Sequence, residues 1–391
     1  MGASGNDMAA VIRHCGTLRI GPAVEGIQMQ NRVTRALGGV PLDRRRVLLG
    51  LAAVGGFLAV DLGAVLYAGG WVAGERLTPQ GFMDAFKRVY GSHPGFRRNH
   101  AKGVAVAGYF DSNGAGQELS KAAVFRQGQT PVVGRFSLAG GNPNVADMID
   151  TPRGLALAFG YPGGQQWRTA MLNLPVFLDS SPQGFYDRLV ASKIVPATGK
   201  PDPEATARFL AAHPETVRAM TVIKAQPPTS GFGDSTFRGL NAFYFVNESG
   251  ARAAVRWSLA PIGKAPHPLP RSGGPNTLFD DLIRQIGSGP QQWKLLVTLA
   301  APTDPVNDAT VAWPAQRRVI ETGTVTLTSV ETERAGNARD INFDPMVLPD
   351  GIEPSDDPLL SARSAVYAAS FRLRAGEHKS ASAVNVGAVT L

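Results

Sequence analysis

The sequence predicts an α+β fold, an antiparallel eight-stranded β-barrel with packed helices. About eight short runs alternate apolar or small residues with polar ones, and a block of helical period divides them into two sets. The 391 residues include 45 glycines and 29 prolines, which suits short strands and tight turns better than a helical bundle. With 43% hydrophobic residues the chain can form a buried core, so the composition excludes a disordered protein.

The first strand set follows a short helix. Thr78 and Pro79 are a typical N-cap and first helical residue, and TPQGFMDAFKRVY predicts an amphipathic helix over 78–90. Glycine-rich turns then separate alternating runs that we interpret as strands. These runs cover residues 102–110, 121–127, 130–139, 153–160 and 168–178.

A helical block and a second strand set complete the barrel. Between residues 181 and 225 the apolar period becomes helical, and prolines open the segments. Residues 241–262 predict a hairpin with its turn from Asn247 to Gly250, and further strands follow at 291–300 and 317–330. Because predicted strands come before and after the helical block in the sequence, we expect a closed barrel with inserted helices.

The chain begins with a basic leader and an apolar run. Residues 1–46 carry seven arginines against three acidic residues, and residues 47–69 contain one charged side chain, Asp61. At about 1.5 Å per residue this run spans roughly 34 Å as a helix, enough to cross a bilayer. We therefore predict an N-terminal transmembrane or signal helix, which precedes a domain over 75–391.

The leader allows two interpretations. The arginines before residue 47 predict a cytoplasmic leader and an uncleaved, single-pass anchor in contact with inner-membrane lipid. Alternatively, the segment DRRRVLLG is a twin-arginine export signal. Both interpretations place the large domain in the periplasm.

Charge and cysteine content exclude several classes of function. Half of the net charge of +8 lies in the leader, and no Lys/Arg cluster interleaved with aromatic residues follows, so we expect no nucleic-acid partner. The one cysteine, Cys15, allows no intrachain disulfide, CxxC zinc site or cysteine-ligated iron–sulfur cluster. Metal or redox chemistry would therefore need His, Tyr or carboxylate ligands.

Two stretches carry the residues best suited to chemistry. His100 opens HAKGVAVAGYF, the first predicted strand, and Arg363 and Tyr367 lie one helical turn apart. Taken alone, such a histidine or tyrosine is more often structural. Together with GRFSLAGG, DTPRGLALAFG, LNLPVF and GIEPSDDPLL, in collinear order over 75–378, they resemble the haem catalase superfamily and most closely its catalase-related peroxidases.

The resemblance implies a haem catalase core with haem b buried between barrel and helix. By position, Tyr367 corresponds to the tyrosine that binds the iron as a phenolate. A phenol ordinarily titrates near pH 10, so a phenolate needs the metal and a nearby cation, which Arg363 supplies. His100 corresponds to the distal histidine, a neutral imidazole that can move a proton between peroxide oxygens.

Further site residues follow from the same resemblance. Ser137 matches the serine that forms a hydrogen bond with the distal histidine, and Phe185 matches a ring beside the haem face. Arg97, Arg135 and Arg374 fall where the family places arginines that bind the haem propionates, a role that suits guanidinium–carboxylate pairing.

One departure concerns the distal wall. The catalytic asparagine of typical catalases aligns with Leu172, and Asn173, the remaining candidate for a catalytic amide, would point to the other side of the strand. An apolar wall weakens dismutation of hydrogen peroxide and tolerates bulkier organic hydroperoxides.

The expected function is therefore a haem peroxidase that reduces organic hydroperoxides and hydrogen peroxide with an unidentified electron donor. Three alternatives keep the fold: catalase-type dismutation, rearrangement of fatty-acid hydroperoxides, and a haem-carrier barrel without enzymatic activity. A carrier would need the iron ligand but not His100. Association into homo-oligomers stays open.

Overall fold

The computed structural model describes residues 77–160, 164–263 and 274–390. The predicted basic leader and the apolar run over 47–69 lie outside these residues, so the membrane anchor or export signal stays a prediction. Within the described ranges, no helix is both long and apolar enough to cross a membrane.

Helices and strands are interspersed along the described part of the chain. The described helices are α1 (Pro79–Tyr90), α2 (Pro182–Ala191), α3 (Pro203–Ala212), α4 (Pro214–Lys224), α5 (Thr277–Ser288) and α6 (Pro358–Gly376). The described strands are β1 (Gly103–Ser112), β2 (Gly128–Leu138), β3 (Arg153–Phe159), β4 (Trp167–Leu172), β5 (Ile194–Val195), β6 (Lys200–Pro201), β7 (Phe237–Arg238), β8 (Phe243–Val246), β9 (Arg252–Pro261), β10 (Gln291–Leu299), β11 (Val319–Glu331) and β12 (Ile352–Pro354).

The main sheet closes into an antiparallel barrel of eight strands. Neighbours follow the order β10, β11, β1, β2, β3, β4, β7 and β9, and β9 pairs with β10 to complete the ring. Strands β8 and β12 extend the sheet beyond β9, and β5 and β6 form a separate ribbon. The predicted eight-stranded barrel is thereby confirmed for the described residues.

Alternation along the strands separates the barrel core from its outer face. In β2, Phe136 packs in the main hydrophobic core, while its neighbours Arg135 and Ser137 face the opposite side. In β3, Leu157 belongs to the core and Ala156 to the outer face. Large buried aromatic side chains fill the interior of the barrel, so the space for a ligand lies outside it.

Two strand predictions are wrong in part. Residues 121–127 form a 3₁₀ turn over Ala123–Phe125, because Ala122, Val124 and Phe125 are all buried and their spacing is not alternating. The predicted strand over 168–178 ends at Leu172, before the proline of the LNLPVF segment removes a backbone donor.

The first helix agrees with its prediction. Helix α1 begins as expected, with Thr78 Oγ1 accepting a hydrogen bond from the Gly81 amide at 3.0 Å, and it ends at Gly91, whose φ is 86°. The hairpin of β8 and β9 is also confirmed. Helix α5 was not predicted.

Candidate active site

A cavity of about 520 Å³ lies between the outer face of the barrel and the helices α1, α2 and α6. Strands β2, β3 and β4 form its barrel side, where Gly154, Ala156 and Ala170 are among the lining residues. These small side chains leave room for a ligand against the strands. The volume lies within the range of cofactor and small-molecule sites.

His100 reaches this cavity from the loop between α1 and β1. Its φ is 55°, in the left-handed region that few residues other than glycine adopt. Asn99 Oδ1 stabilises the turn by accepting hydrogen bonds from the backbone amides of His100, at 3.0 Å, and Gly140, at 2.9 Å. The imidazole Nδ1 lies 3.1 Å from Ser137 Oγ, so Nε2 is the nitrogen that remains for a ligand.

The surroundings of His100 keep its imidazole neutral. Removal from bulk water and the nearby cations Arg135, Arg363 and Arg97 lower its pKa from 6.5 to about 3. Space beside the ring depends on Gly154, where an added Cβ would lie 3.2 Å from His100 Nδ1. The site therefore holds an uncharged proton acceptor against a glycine wall.

Helix α6 carries Arg363 and Tyr367 to the cavity. Asp357 caps this helix, and its Oδ2 accepts a hydrogen bond from Asn241 Nδ2 at 2.7 Å. Asn241 Oδ1 in turn accepts from Arg363, whose Nη2 donates to the Ala170 carbonyl at 3.3 Å. Burial raises the pKa of Asp357 above its ordinary value despite the hydrogen bond from Asn241. This chain fixes the Arg363 cation one turn from Tyr367.

Tyr367 presents an available oxygen to the cavity. Its ring packs beside Ala105, Ala158 and Phe343, and its hydroxyl makes no hydrogen bond within the described part of the chain. The same part of the chain contains no group of three or more His, Cys, Asp or Glu side chains that could hold a metal ion.

Arg97, Arg135 and Arg374 meet along one side of the cavity. Arg97 and Arg374 both donate to the Ile341 carbonyl, at 2.9 and 3.1 Å. Arg97 and Arg135 both contact Glu333 Oε1, at 3.3 and 2.8 Å. Burial and the neighbouring Arg135 cation lower the pKa of Arg97 well below its usual value and that of Arg374 to about 10. This concentration of positive charge suits a ligand with carboxylates.

The remaining wall is apolar. Leu172 and Leu174 line the cavity after β4, and Phe185 lines it from α2. Asn173, between the two leucines, is not among the lining residues, and its Oδ1 accepts a hydrogen bond from the Arg153 amide at 2.7 Å. The chain therefore turns this amide away from the cavity to hold the start of β3, and the catalytic role of Asn173 stays a prediction.

Sequence reasoning did not identify two buried residues of the site. Glu333 pairs with Arg135, 198 positions earlier in the chain, and Asn241 joins Asp357 to Arg363. Neither residue belongs to a motif with recognisable spacing. For Glu333 the sequence offers only an acidic residue just beyond a long strand, two positions after Glu331.

The sequence matches a known protein family over most of its length. The family model described as catalase matches residues 92–390. The chain belongs to the catalase family. Among its relatives, the catalase-related peroxidase of Synechococcus elongatus is 36% identical over 305 residues, which cover 77% of this chain and 90% of the relative. The protein of the same name from Mycolicibacterium paratuberculosis is 33% identical over 311 residues, with 78% and 98% covered.

Larger catalases share the fold, and the matched region covers only part of their length. Rat catalase is 28% identical over 302 residues, which cover 71% of this chain and 56% of the catalase. The structure of catalase A from Saccharomyces cerevisiae has a TM-score of 0.66 at 22% identity, with 73% of this chain and 62% of that chain covered. The resemblance to the short catalase-related peroxidases is thereby confirmed.

Proposed function

We propose that this member of the catalase family is a haem peroxidase that reduces organic hydroperoxides and hydrogen peroxide. The observation that carries the proposal is the presence of a neutral His100 and an unbonded Tyr367 hydroxyl on one ligand-sized cavity. An iron ligand and a proton acceptor are the groups that peroxide cleavage needs. A haem carrier would need only the first of them.

The residues of the cavity fit a haem. Tyr367 would bind the iron, the apolar residues Leu172, Leu174 and Phe185 would contact the porphyrin or its substrate, and the arginines would meet the propionates. Each of the three arginines keeps N–H donors beyond those that contact the protein. We infer haem b, because a sequence with one cysteine has no CxxCH motif for covalent attachment. When bound, this group supplies the redox equivalents for breaking the O–O bond.

His100 moves the proton. With Nδ1 donating to Ser137 Oγ, Nε2 accepts the proton of the hydroperoxide ROOH and returns it to the outer oxygen as the O–O bond breaks. The products are ROH from the outer part and, after transfer of two electrons from the donor and uptake of two further protons, water from the inner oxygen. Because the pKa of His100 is about 3, the imidazole is unprotonated throughout the neutral range and keeps a lone pair on Nε2 for the proton of the hydroperoxide.

Arg363 supports Tyr367, the proposed iron ligand. Its guanidinium, fixed by Asn241, places positive charge one helical turn from Tyr367. A cation there would help to balance the negative charge of a tyrosinate iron ligand.

Leu172 favours organic hydroperoxides as substrates. An asparagine in its place could donate a hydrogen bond to hydrogen peroxide, whereas leucine offers an apolar surface for an alkyl or aryl group. This is why we place peroxidase activity ahead of dismutation. The electron donor is a separate molecule of unidentified structure.

We further propose that the apolar run over 47–69 anchors or exports the domain to the periplasm, as its flanking arginines predict. A periplasm-specific reporter fused after residue 391 should be active. Activity only of a cytoplasm-specific reporter would refute this location.

The test of the function is spectroscopic and kinetic. We expect the purified protein to bind about one haem per chain, because the cavity at His100 and Tyr367 has the size of a single cofactor site. It should show a high-spin ferric tyrosinate spectrum and consume cumene hydroperoxide only when an electron donor is present. Haem binding without hydroperoxide turnover would support a carrier. Oxygen release from hydrogen peroxide without a donor, at a rate above that of peroxidation, would support dismutation.

A further inference from the structure

Glu333 is a buried carboxylate next to the site that the proposed chemistry does not use. It lies just beyond β11, and 5% of its side chain is exposed. Burial by itself would raise its pKa, but Arg135 and Arg97 outweigh this effect, so the pKa lies below its ordinary value. Glu333 is therefore a carboxylate anion at neutral pH, held among cations.

The contact with Arg135 is bidentate. Arg135 Nε donates to Glu333 Oε1 at 2.8 Å, and Nη2 donates to Oε2 at 3.0 Å. Both side chains are almost fully withdrawn from solvent. Two parallel charge-assisted hydrogen bonds fix the plane of the guanidinium as well as its position.

The third donor of Arg135 reaches the backbone of His100. Nη1 donates to the His100 carbonyl at 2.8 Å, at the residue whose φ is 55°. A left-handed conformation at a histidine is unfavourable, so an external hydrogen bond at this carbonyl helps to hold it. The direction of the imidazole depends on that backbone conformation.

The sequence makes room for this guanidinium. A Cβ at Gly103 would lie 2.2 Å from Arg135 Nη2, closer than any side chain can approach. Glycine at the first position of β1 is therefore required for Arg135 to lie where it reaches both Glu333 and His100. The segment 100–103 and Glu333, which are distant in sequence, therefore meet at one guanidinium.

We infer that Glu333 is a positioning residue for His100 and acts through Arg135. The carboxylate fixes the guanidinium, the guanidinium holds the His100 carbonyl, and the carbonyl sets the direction of the imidazole in the cavity. The catalytic consequence rests on the proposed function, whereas the conformational consequence does not.

The conformational test is hydrogen–deuterium exchange on wild type and Glu333→Gln, with and without haem. Glutamine has the same shape but presents an N–H to one of the two Arg135 donors. The segment 99–103 should exchange faster in the variant, because the amides of His100 and Ala101 depend on the turn at Asn99 and Gly140. Strand β9 should be unchanged, and unchanged exchange at 99–103 would overturn the inference.

A matched control removes a similar ion pair elsewhere. Asp304 binds Arg317 through two hydrogen bonds, at 2.6 and 2.8 Å, and neither residue lines the cavity. Asp304→Asn should leave exchange at 99–103 unchanged. Faster exchange there in this control as well would mean that the effect is general destabilisation, and it would overturn the inference.

The catalytic test is a double-mutant cycle on the rate of reaction of the haem-loaded protein with cumene hydroperoxide. Glu333→Gln should reduce this rate about 10- to 100-fold, the scale expected for a displacement near 1 Å. In a His100→Asn background the same substitution should have no further effect, since its route of action has been removed. An equal loss in both backgrounds would overturn the inference.

Glu333→Asp is the conservative rescue. It keeps the charge but retracts the carboxylate by about one C–C bond, roughly 1.5 Å, so both exchange and rate should lie between wild type and Glu333→Gln. If Glu333→Gln does not fold, Glu333→Asp provides the test instead. Wild-type exchange and a wild-type rate in Glu333→Asp would then overturn the inference. If His100→Asn retains the full rate, the proposed function fails while the exchange experiment still tests the positioning role.

Discussion

The low pKa of His100 has a measurable effect on stability. An imidazole that titrates near 6.5 in the unfolded chain and near 3 in the folded chain binds fewer protons when folded between these values. The folded state therefore loses stability as pH falls through this window. Above pH 6.5 both states are neutral and the effect vanishes.

The magnitude follows from the size of the shift. Each pKa unit corresponds to about 1.4 kcal/mol, so the full window from 6.5 to about 3 is worth at most about 4 to 5 kcal/mol. Water in the cavity would reduce this value, because part of the imidazole surface faces the cavity. The slope between pH 4 and 6 should approach about 1.4 kcal/mol per pH unit from this residue.

The assay compares the free energy of unfolding by urea for wild type and His100→Asn, in the same cofactor state, from pH 4 to 7.5. Asparagine does not titrate and tolerates a left-handed backbone. Carboxylates such as Glu333 and Glu377 contribute equally to both proteins, so the difference isolates the histidine. Wild type should lose its stability relative to the variant only below pH 6.5, and parallel curves would refute the assignment of a neutral His100.

Three further predictions concern the cavity. Tyr367→Phe should purify with little or no haem, because phenylalanine offers iron no oxygen, and full haem with an unchanged spectrum would count against the ligand. Leu172→Asn should raise oxygen release from hydrogen peroxide about tenfold, the value of one hydrogen bond of about 1.4 kcal/mol. If oxygen release does not rise, the role given to Leu172 in substrate preference is refuted. Gly154→Ala, whose Cβ would lie 3.2 Å from His100 Nδ1, should slow the reaction with hydroperoxide about 10- to 100-fold. Gly376→Ala, with open space around it, is the control and should leave the rate unchanged.

The barrel could be predicted from the sequence because its long strands alternate. Strands β9 and β10 bury every second side chain, from Val255 to Leu259 and from Gln291 to Val297, and this period is visible without a structure. The segment over 121–127 misled because short apolar runs do not distinguish a strand from a turn. Strand β7, with two residues, is too short to leave a pattern.

The site could be predicted only where its residues belong to motifs. His100, Ser137 and Tyr367 lie in stretches that resemble known family segments, and the structure places all three on one cavity. Glu333 and Asn241 became visible only after folding, since each joins the site through a partner more than a hundred residues away. Charge pairing between distant segments leaves no spacing rule in a single sequence.

The most direct test of the account is the rate at which haem-loaded His100→Ala reacts with cumene hydroperoxide, measured by stopped flow beside wild type and His100→Asn. Both variants should keep their haem, because Tyr367 is proposed to hold the iron. Both should react about 10² to 10⁴ times more slowly, the contribution of a positioned acid–base group. A rate within about threefold of wild type, far inside that loss, would contradict the mechanism, and loss of haem from these variants would make His100 an iron ligand instead.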